Sequence, residues 1–192
     1  MSNVEVVRAS DADAPFARLL QFRPAPIVVL AALTLAALLV VHTGLRFMLT
    51  PSLPLGIYRT VNGPPTRGTI VMACLPERAA RLALERGYVW RGSCPGGAVP
   101  LGKIVLGVPG DTITLTIDGV ALNGHVVPNS QLRARDSRGR PLQHYAYGSH
   151  VLTPGELWLF SPYHPLSFDS RYFGPVESTA VLSRLAPLWT TR

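Results

Sequence analysis

From Pro51 onward this chain is broken by proline or glycine every few residues, and that punctuation limits it to short elements. The 192 residues hold 18 Pro and 17 Gly. Proline blocks helix interiors and central strands, and glycine marks unusual backbone angles. Short β-branched runs lie between the breaks, which is the pattern of an all-β domain. Strands are expected over residues 56–61, 69–74, 103–108, 112–118, 119–122, 125–127, 156–160 and 178–185. Asp118-Gly119 and Asn123-Gly124 are tight-turn dipeptides. Ile113, Leu115 and Ile117 alternate with Thr112, Thr114 and Thr116, predicting one buried and one wet face.

Two segments depart from this pattern. Residues 76–86 combine a proline suited to a first helical turn with strong helix formers and a Gly87 stop, so they predict a short helical insertion. Residues 128–150 have no clean period and read as a long, mobile excursion. Within them Arg133, Arg135, Arg138 and Arg140 look like a solvated loop.

Ahead of the β-rich part, residues 25–41 read APIVVLAALTLAALLVV without a charge. Seventeen such residues are the lower end of a membrane span, extendable through Leu45. A cleaved signal peptide is the rival reading. The polar stretch of 24 residues before the run and the missing A-x-A site favour a retained anchor. Arg8, Arg18 and Arg23 precede the run, while Arg46 and Arg59 follow it, a slight vote for a cytoplasmic N-terminus. The expected organisation is a cytoplasmic tail over 1–24, a transmembrane anchor over 25–45 and a periplasmic domain over 46–192. The whole would sit in a bacterial inner membrane as a single-pass protein.

The net charge of +7 belongs to the part after the apolar run, because the three Arg and three acids of residues 1–24 cancel. A basic domain on a tether suits anionic lipid head groups. No stripe of arginines interleaved with aromatics appears, so nucleic acid is not an expected partner. Cys74 and Cys94 are the only cysteines. A bridge between them would close a loop of about 20 residues and contribute about 3 kcal/mol in an oxidising compartment. Two buried thiols are the alternative.

Lys103 is the only lysine, since the other 17 of the 18 basic residues are arginine. Arginine stays protonated, whereas a buried lysine can lose its proton and act as a base. The surrounding strand, Leu101-Gly102-Lys103-Ile104-Val105-Leu106-Gly107-Val108, is apolar enough to desolvate the amine. A fall from about 10.4 to 7 or 8 is what a general base needs at neutral pH. Gly102 and Gly107 allow close approach. Ser52, between Pro51 and Pro54, is a rigidly held hydroxyl; it follows Val41 by 11 residues, a reach of at most about 40 Å. Serine needs a neighbouring base to become nucleophilic, and Ser-Lys pairs supply one.

Pro51-Ser52-Leu53-Pro54 and Leu101 to Asp111 resemble the serine and lysine boxes of the bacterial signal peptidase I family. Ser167-Phe168-Asp169-Ser170-Arg171-Tyr172-Phe173-Gly174-Pro175-Val176 resembles its C-terminal box. Within that family the chain is most similar to the small, TraF-type conjugal transfer peptidases that mature pilin precursors. Ser161-Pro162-Tyr163-His164 stands where ordinary signal peptidases carry Gly-Asp-Asn, and the chain lacks room for their large second β-domain. The resemblance implies a signal-peptidase-like β-barrel or sandwich. It also implies Ser52 as acylated nucleophile and Lys103 as general base, with Ser167 orienting the lysine. Asp169 and Arg171 would brace the site, and Thr50 with the Ser52 N–H would form the oxyanion hole. Expected partners are a pilin or secretory precursor, membrane lipid and the conjugation or type IV secretion machinery.

Rival readings are a general signal peptidase and a non-catalytic, membrane-anchored assembly protein. Asp111 reads as a turn former, Asp169 and Arg171 as an ordinary ion pair on the bland view, and Thr50 as a loop cap. Gly97 to Ile104 nearly spells a phosphate loop, but Ile104 lacks a hydroxyl and a strand follows. A triad through His144, His150 or His164 is conceivable. The histidines show no metal-ligand spacing, so no metal or cofactor is expected.

Overall fold

The computed structural model describes residues 25–191; the tail expected over 1–24 lies outside them. The first element is α1 (Ala25–Thr43), whose 19 residues reach about 28 Å at 1.5 Å per residue. A hydrocarbon core is about 30 Å thick. Among the described residues no helix is long and apolar enough to cross a membrane. The segment expected as an anchor over 25–45 is helical over Ala25–Thr43. The chain divides into two compact units between Leu39 and Val40, and the second carries everything below.

That unit is mostly β. One sheet has seven strands in the order β1-β2-β11-β3-β4-β9-β10. Their ranges are β1 (Leu45–Met48), β2 (Gly56–Val61), β3 (Ile70–Ala73), β4 (Leu101–Gly107), β9 (Glu156–Phe160), β10 (Val176–Glu177) and β11 (Val181–Thr190). A second sheet, in the order β7-β6-β5-β8, is formed by β5 (Thr112–Thr116), β6 (Gly119–Leu122), β7 (His125–Val126) and β8 (Gly148–Val151). All pairings are antiparallel. Both sheets end on outer strands instead of closing, so the arrangement is two packed open sheets and not a closed barrel.

The sheets meet through Ile113 and Leu115 of β5, which cluster with Leu152 and Trp158. The Ile/Thr alternation holds at Ile113 and Leu115, each 1% exposed, and fails at Ile117, which is 73% exposed in the turn. Asn123 and Gly124 both take positive φ, +50° and +82°, in the two-residue loop joining β6 to β7. That is the backbone the dipeptide predicts. Inside the larger sheet, Val71, Val105, Leu157 and Leu159 form a second core. Each fully buried aliphatic side chain stabilises the fold by about 1.5–3 kcal/mol.

The predicted insertion is α2 (Glu77–Glu85), with Pro76 at its N-cap and Ala79, Ala80 and Ala83 buried. Gly87 follows it at φ +70°. Cys74 and Cys94 form a disulfide with Cα atoms 5.6 Å apart, stapling this insertion at both ends. A third helix, α3 (Ser170–Phe173), is capped by the Asp169 side chain. The segment 128–150 is not the free excursion expected. Arg171 Nη1 donates to Gln131 O at 2.9 Å, Arg133 N donates to Tyr172 Oη at 3.2 Å, and Tyr145 N donates to Arg171 O at 2.9 Å. Backbone groups without sheet partners find them in side chains and in the backbone of Arg171 here.

Candidate active site

Ser52 lies in the turn between β1 and β2, and several contacts fix that turn. Leu53 is 1% exposed and packs with Met48, Tyr58 and Leu185. The Tyr58 hydroxyl donates to Pro54 O at 2.8 Å. A Cβ on Gly102 would stand 2.7 Å from Leu53 Cδ1 and 3.1 Å from Met48 Sδ, so glycine admits the serine loop against the lysine strand. Ser161, fully buried, donates its hydroxyl to the backbone oxygen of Ser52.

Lys103 sits at the third position of β4, opposite Val71 of β3, and is 2% exposed. Its Nζ donates to Ser167 Oγ at 2.8 Å. Ser167 Oγ lies 3.3 Å from Ser52 Oγ. The amine therefore meets the Ser52 hydroxyl through Ser167, and not by the direct bond expected of a dyad. Burial lowers the Lys103 pKa to about 8; the Asp169 carboxylate opposes that shift and the Arg171 guanidinium adds to it.

Asp169 and Arg171 are both 0% exposed. Arg171 Nε donates to Asp169 Oδ1 at 2.8 Å and Nη2 to Oδ2 at 2.9 Å, a bidentate fork. The same Nη2 donates to Ser167 O at 3.2 Å, and Asp169 Oδ2 accepts from Ser161 N at 3.3 Å. The pair thus grips the backbone of Ser167 and, through Ser161, that of Ser52. This is more than a turn ion pair. The guanidinium also lies 5.0 Å from the Phe160 ring centroid, a favourable place for a desolvated cation.

A cavity of about 320 Å³ opens on these groups, lined by Ser52, Lys103 and Ser167 together with Thr50, Tyr88, Leu142 and Phe168. Thr50 is exposed on its rim. A neutral amine, a relay hydroxyl and a half-buried serine beside a cleft can transfer a proton off that serine while an acyl group is attacked.

Of the remaining candidates, only His164 lines the cavity. Asp111 accepts from Val108 N at 2.9 Å, from Asn123 Nδ2 at 2.8 Å and from Arg67, which makes it a turn former. His150 Nε2 lies 2.9 Å from Glu156 Oε2, and His144 stacks on Tyr147. His164 shapes the turn before Ser167, its oxygen accepting from Ser167 N at 3.0 Å. Among the described residues none of these three histidines bonds Ser52, and no cluster could hold a metal ion. The phosphate-loop look-alike runs into β4.

Two groups at the site were not singled out in the sequence. Ser161 was seen only as a departure from a motif, and its partners are 109 and 8 residues away. Asp136 was hidden among arginines, although being the one acid within that basic run could have marked it.

A mostly-β chain with this assembly is a serine peptidase of signal peptidase type. The family described as signal peptidase, peptidase S26, matches residues 20–189, and the chain belongs to it. It is 38% identical over 148 residues to "Plasmid transfer protein TraF" of Escherichia coli, covering 77% of this chain and 84% of that one. It is 39% identical over 160 residues to "Probable conjugal transfer protein TraF" of Sinorhizobium fredii, covering 80% and 83%. Against "Conjugal transfer protein TraF" of Agrobacterium tumefaciens it is 39% identical over 176 residues, covering 90% and 96%. Among solved structures, a signal peptidase I of Enterococcus faecalis is similar with a TM-score of 0.37 and 19% identity, covering 66% of this chain and all of that one.

Proposed function

We propose that this chain is a Ser/Lys serine endopeptidase, anchored to the inner membrane by residues 25–45, that processes a conjugative pilin precursor on the periplasmic side. The observation that carries the reading is the chain of contacts from the Lys103 amine through Ser167 to Ser52. In the neutral state Lys103 Nζ accepts a proton from the Ser167 hydroxyl as Ser167 takes that of Ser52. Ser52 Oγ attacks the scissile carbonyl carbon, and the electron pair moves to its oxygen. The Ser52 N–H, with Thr50, would stabilise that oxyanion. Collapse breaks the C–N bond, the Lys103 ammonium returns the proton to the leaving amine, and an acyl-enzyme on Ser52 remains. Water, or the amino terminus of the substrate itself, then resolves it to a linear or a cyclic product.

Asp169 and Arg171 act as positioning residues through Ser167 and Ser161. The role in conjugation rests on the relatives' names, and the anchor on the uncharged run and on the basic charge of the rest. Mass spectrometry of mature pilin from cells carrying wild-type or Ser52→Ala protein tests the reading. Precursor should accumulate with the variant. Normal maturation would overturn the enzymatic role, and accumulation of secretory precursors in general would favour a housekeeping signal peptidase.

A further inference from the structure

At the end of β2 that adjoins α1, a second cavity is built of polar groups and has no part in the proton chemistry. It measures about 210 Å³, and its polar lining is Thr60, Asn62, Ser178, Ser183 and Arg184, without an acidic residue. Pockets for drug-sized molecules begin at about 300 Å³, so this one suits a single compact group. Strand β11 brings Arg184 opposite Val61 of β2, and the turn Ser178–Ala180 leads into that strand.

Arg184 is half-buried and lacks a counter-charge. Among the described residues no carboxylate pairs with it. Its Nε is buried without a hydrogen-bond partner, and Nη1 donates to Asn62 O only at 3.5 Å, the outer limit for such a bond. The hydroxyls of Ser178 and Ser183 are likewise unengaged among the described residues. Holding a guanidinium partly out of water without an anion is costly, yet the backbone is shaped to admit it. Gly63 takes φ +121°, and a Cβ there would stand 2.5 Å from Arg184 Nη1. A planar fork of N–H donors flanked by two hydroxyls matches the oxygens of a phosphate. The place of the cavity says whose phosphate. Thr60, in the lining, donates its N–H to Gly44 O at 2.9 Å, and Gly44 directly follows α1. A helix that anchors the chain would bring this end of β2 to the depth of the lipid head groups, where anionic phosphates attract basic side chains.

We infer that Arg184, with Ser178 and Ser183, binds the phosphate of a phospholipid head group at the foot of α1. The inference rests on the anchor reading above and not on peptidase activity, so Ser52→Ala protein should bind as wild type does. The test titrates full-length protein in dodecyl maltoside micelles with dihexanoyl phosphatidylglycerol, dihexanoyl glycerol or inorganic phosphate, read by isothermal titration calorimetry against empty micelles. One phosphatidylglycerol should bind per chain, about tenfold or more tighter than either other probe. Arg184→Gln should weaken that binding about tenfold, and Ser178→Ala with Ser183→Ala about fivefold. Arg59→Gln, which removes an exposed charge from β2 outside the cavity, should change it by less than about twofold. A folded Arg184→Gln protein with unchanged affinity overturns the inference, and so does an equal loss in Arg59→Gln, the mark of diffuse charge. Inorganic phosphate bound as tightly as the lipid overturns the lipid assignment, and dihexanoyl glycerol bound as tightly overturns the phosphate one. Should Arg184→Gln fail to fold, the double serine variant decides, and its unchanged affinity overturns the site. Phosphatidylglycerol bound through Arg184 by a full-length chain that fractionates as soluble would remove the anchor reading and leave the site standing.

Discussion

At pH 7 a lysine whose pKa has fallen to about 8 is free base in about one molecule in ten. Turnover should therefore climb about tenfold per pH unit below 8 and level off above it, as read in the pH profile of kcat/KM for a cleaved peptide. Lys103→Arg should abolish turnover, because a guanidinium does not deprotonate. The same shift carries a cost in stability. The unfolded chain binds the proton up to its ordinary pKa and the folded chain only up to about 8, so folding stability rises with pH between those values and the burial cost is fully present below 8. Lys103→Met removes that cost and should raise the melting temperature at pH 6, equivalent to about 1–3 kcal/mol, while eliminating activity. A lower melting temperature would contradict a buried, strained amine. The solitary lysine was legible because the chain uses arginine elsewhere. Ser167 beside the lysine was expected from the family resemblance; its contact to Ser52 was not, because a contact between hydroxyls 115 residues apart leaves no local pattern.

At the level of elements, the strands that could be foreseen were those next to proline or glycine and rich in β-branched residues, such as β2 and β5. The ones missed are instructive. β1 follows the apolar run with only Gly44 between, β8 reads Gly-Ser-His-Val with one β-branched residue, and β10 has two residues. Their strand state comes from pairing with neighbours and not from propensity. The α2 insertion was legible from its helix formers, while Tyr88, which follows it and lines the cleft, depends on the bond its hydroxyl donates to Asp136. Its staple should matter in two ways. Cys94→Ala is expected to lower stability by about 3 kcal/mol and, by loosening Tyr88, to raise KM more than it lowers kcat. Gly102→Ala should act on the other wall, since the added methyl displaces Leu53 beside the nucleophile. A fall in kcat of about tenfold, read by single-turnover cleavage, corresponds to about 1.4 kcal/mol of lost transition-state stabilisation.

On the scale of the whole molecule, the site is held by one fully buried ion pair. Breaking it by Arg171→Leu leaves a carboxylate without its partner, at an expected cost of about 3–5 kcal/mol, measurable by urea denaturation. Ser52→Ala, which leaves that pair intact, should unfold like wild type. The anchor is a separate matter. Protein lacking residues 1–39 should fractionate as soluble if the uncharged helix is what holds it to the bilayer, and a membrane-bound remainder would place the attachment elsewhere. The uncharged run of apolar residues predicted the helix. Whether it spans depends on length against bilayer thickness, which the letters alone set only to within a turn.

The residues of this centre come from far apart along the chain: the hydroxyl to be acylated precedes β2, while the relay and its ion-pair brace follow β9. A nascent polypeptide stalled before residue 160 would hold an inert serine, because the Ser167 relay and its Asp169–Arg171 support would still be missing. Proteolytic competence would then arrive late in synthesis, sparing a half-made enzyme from acting on its surroundings. Stalled chains released at successive lengths and exposed to a serine-reactive probe should stay unlabelled until the segment around Arg171 has emerged.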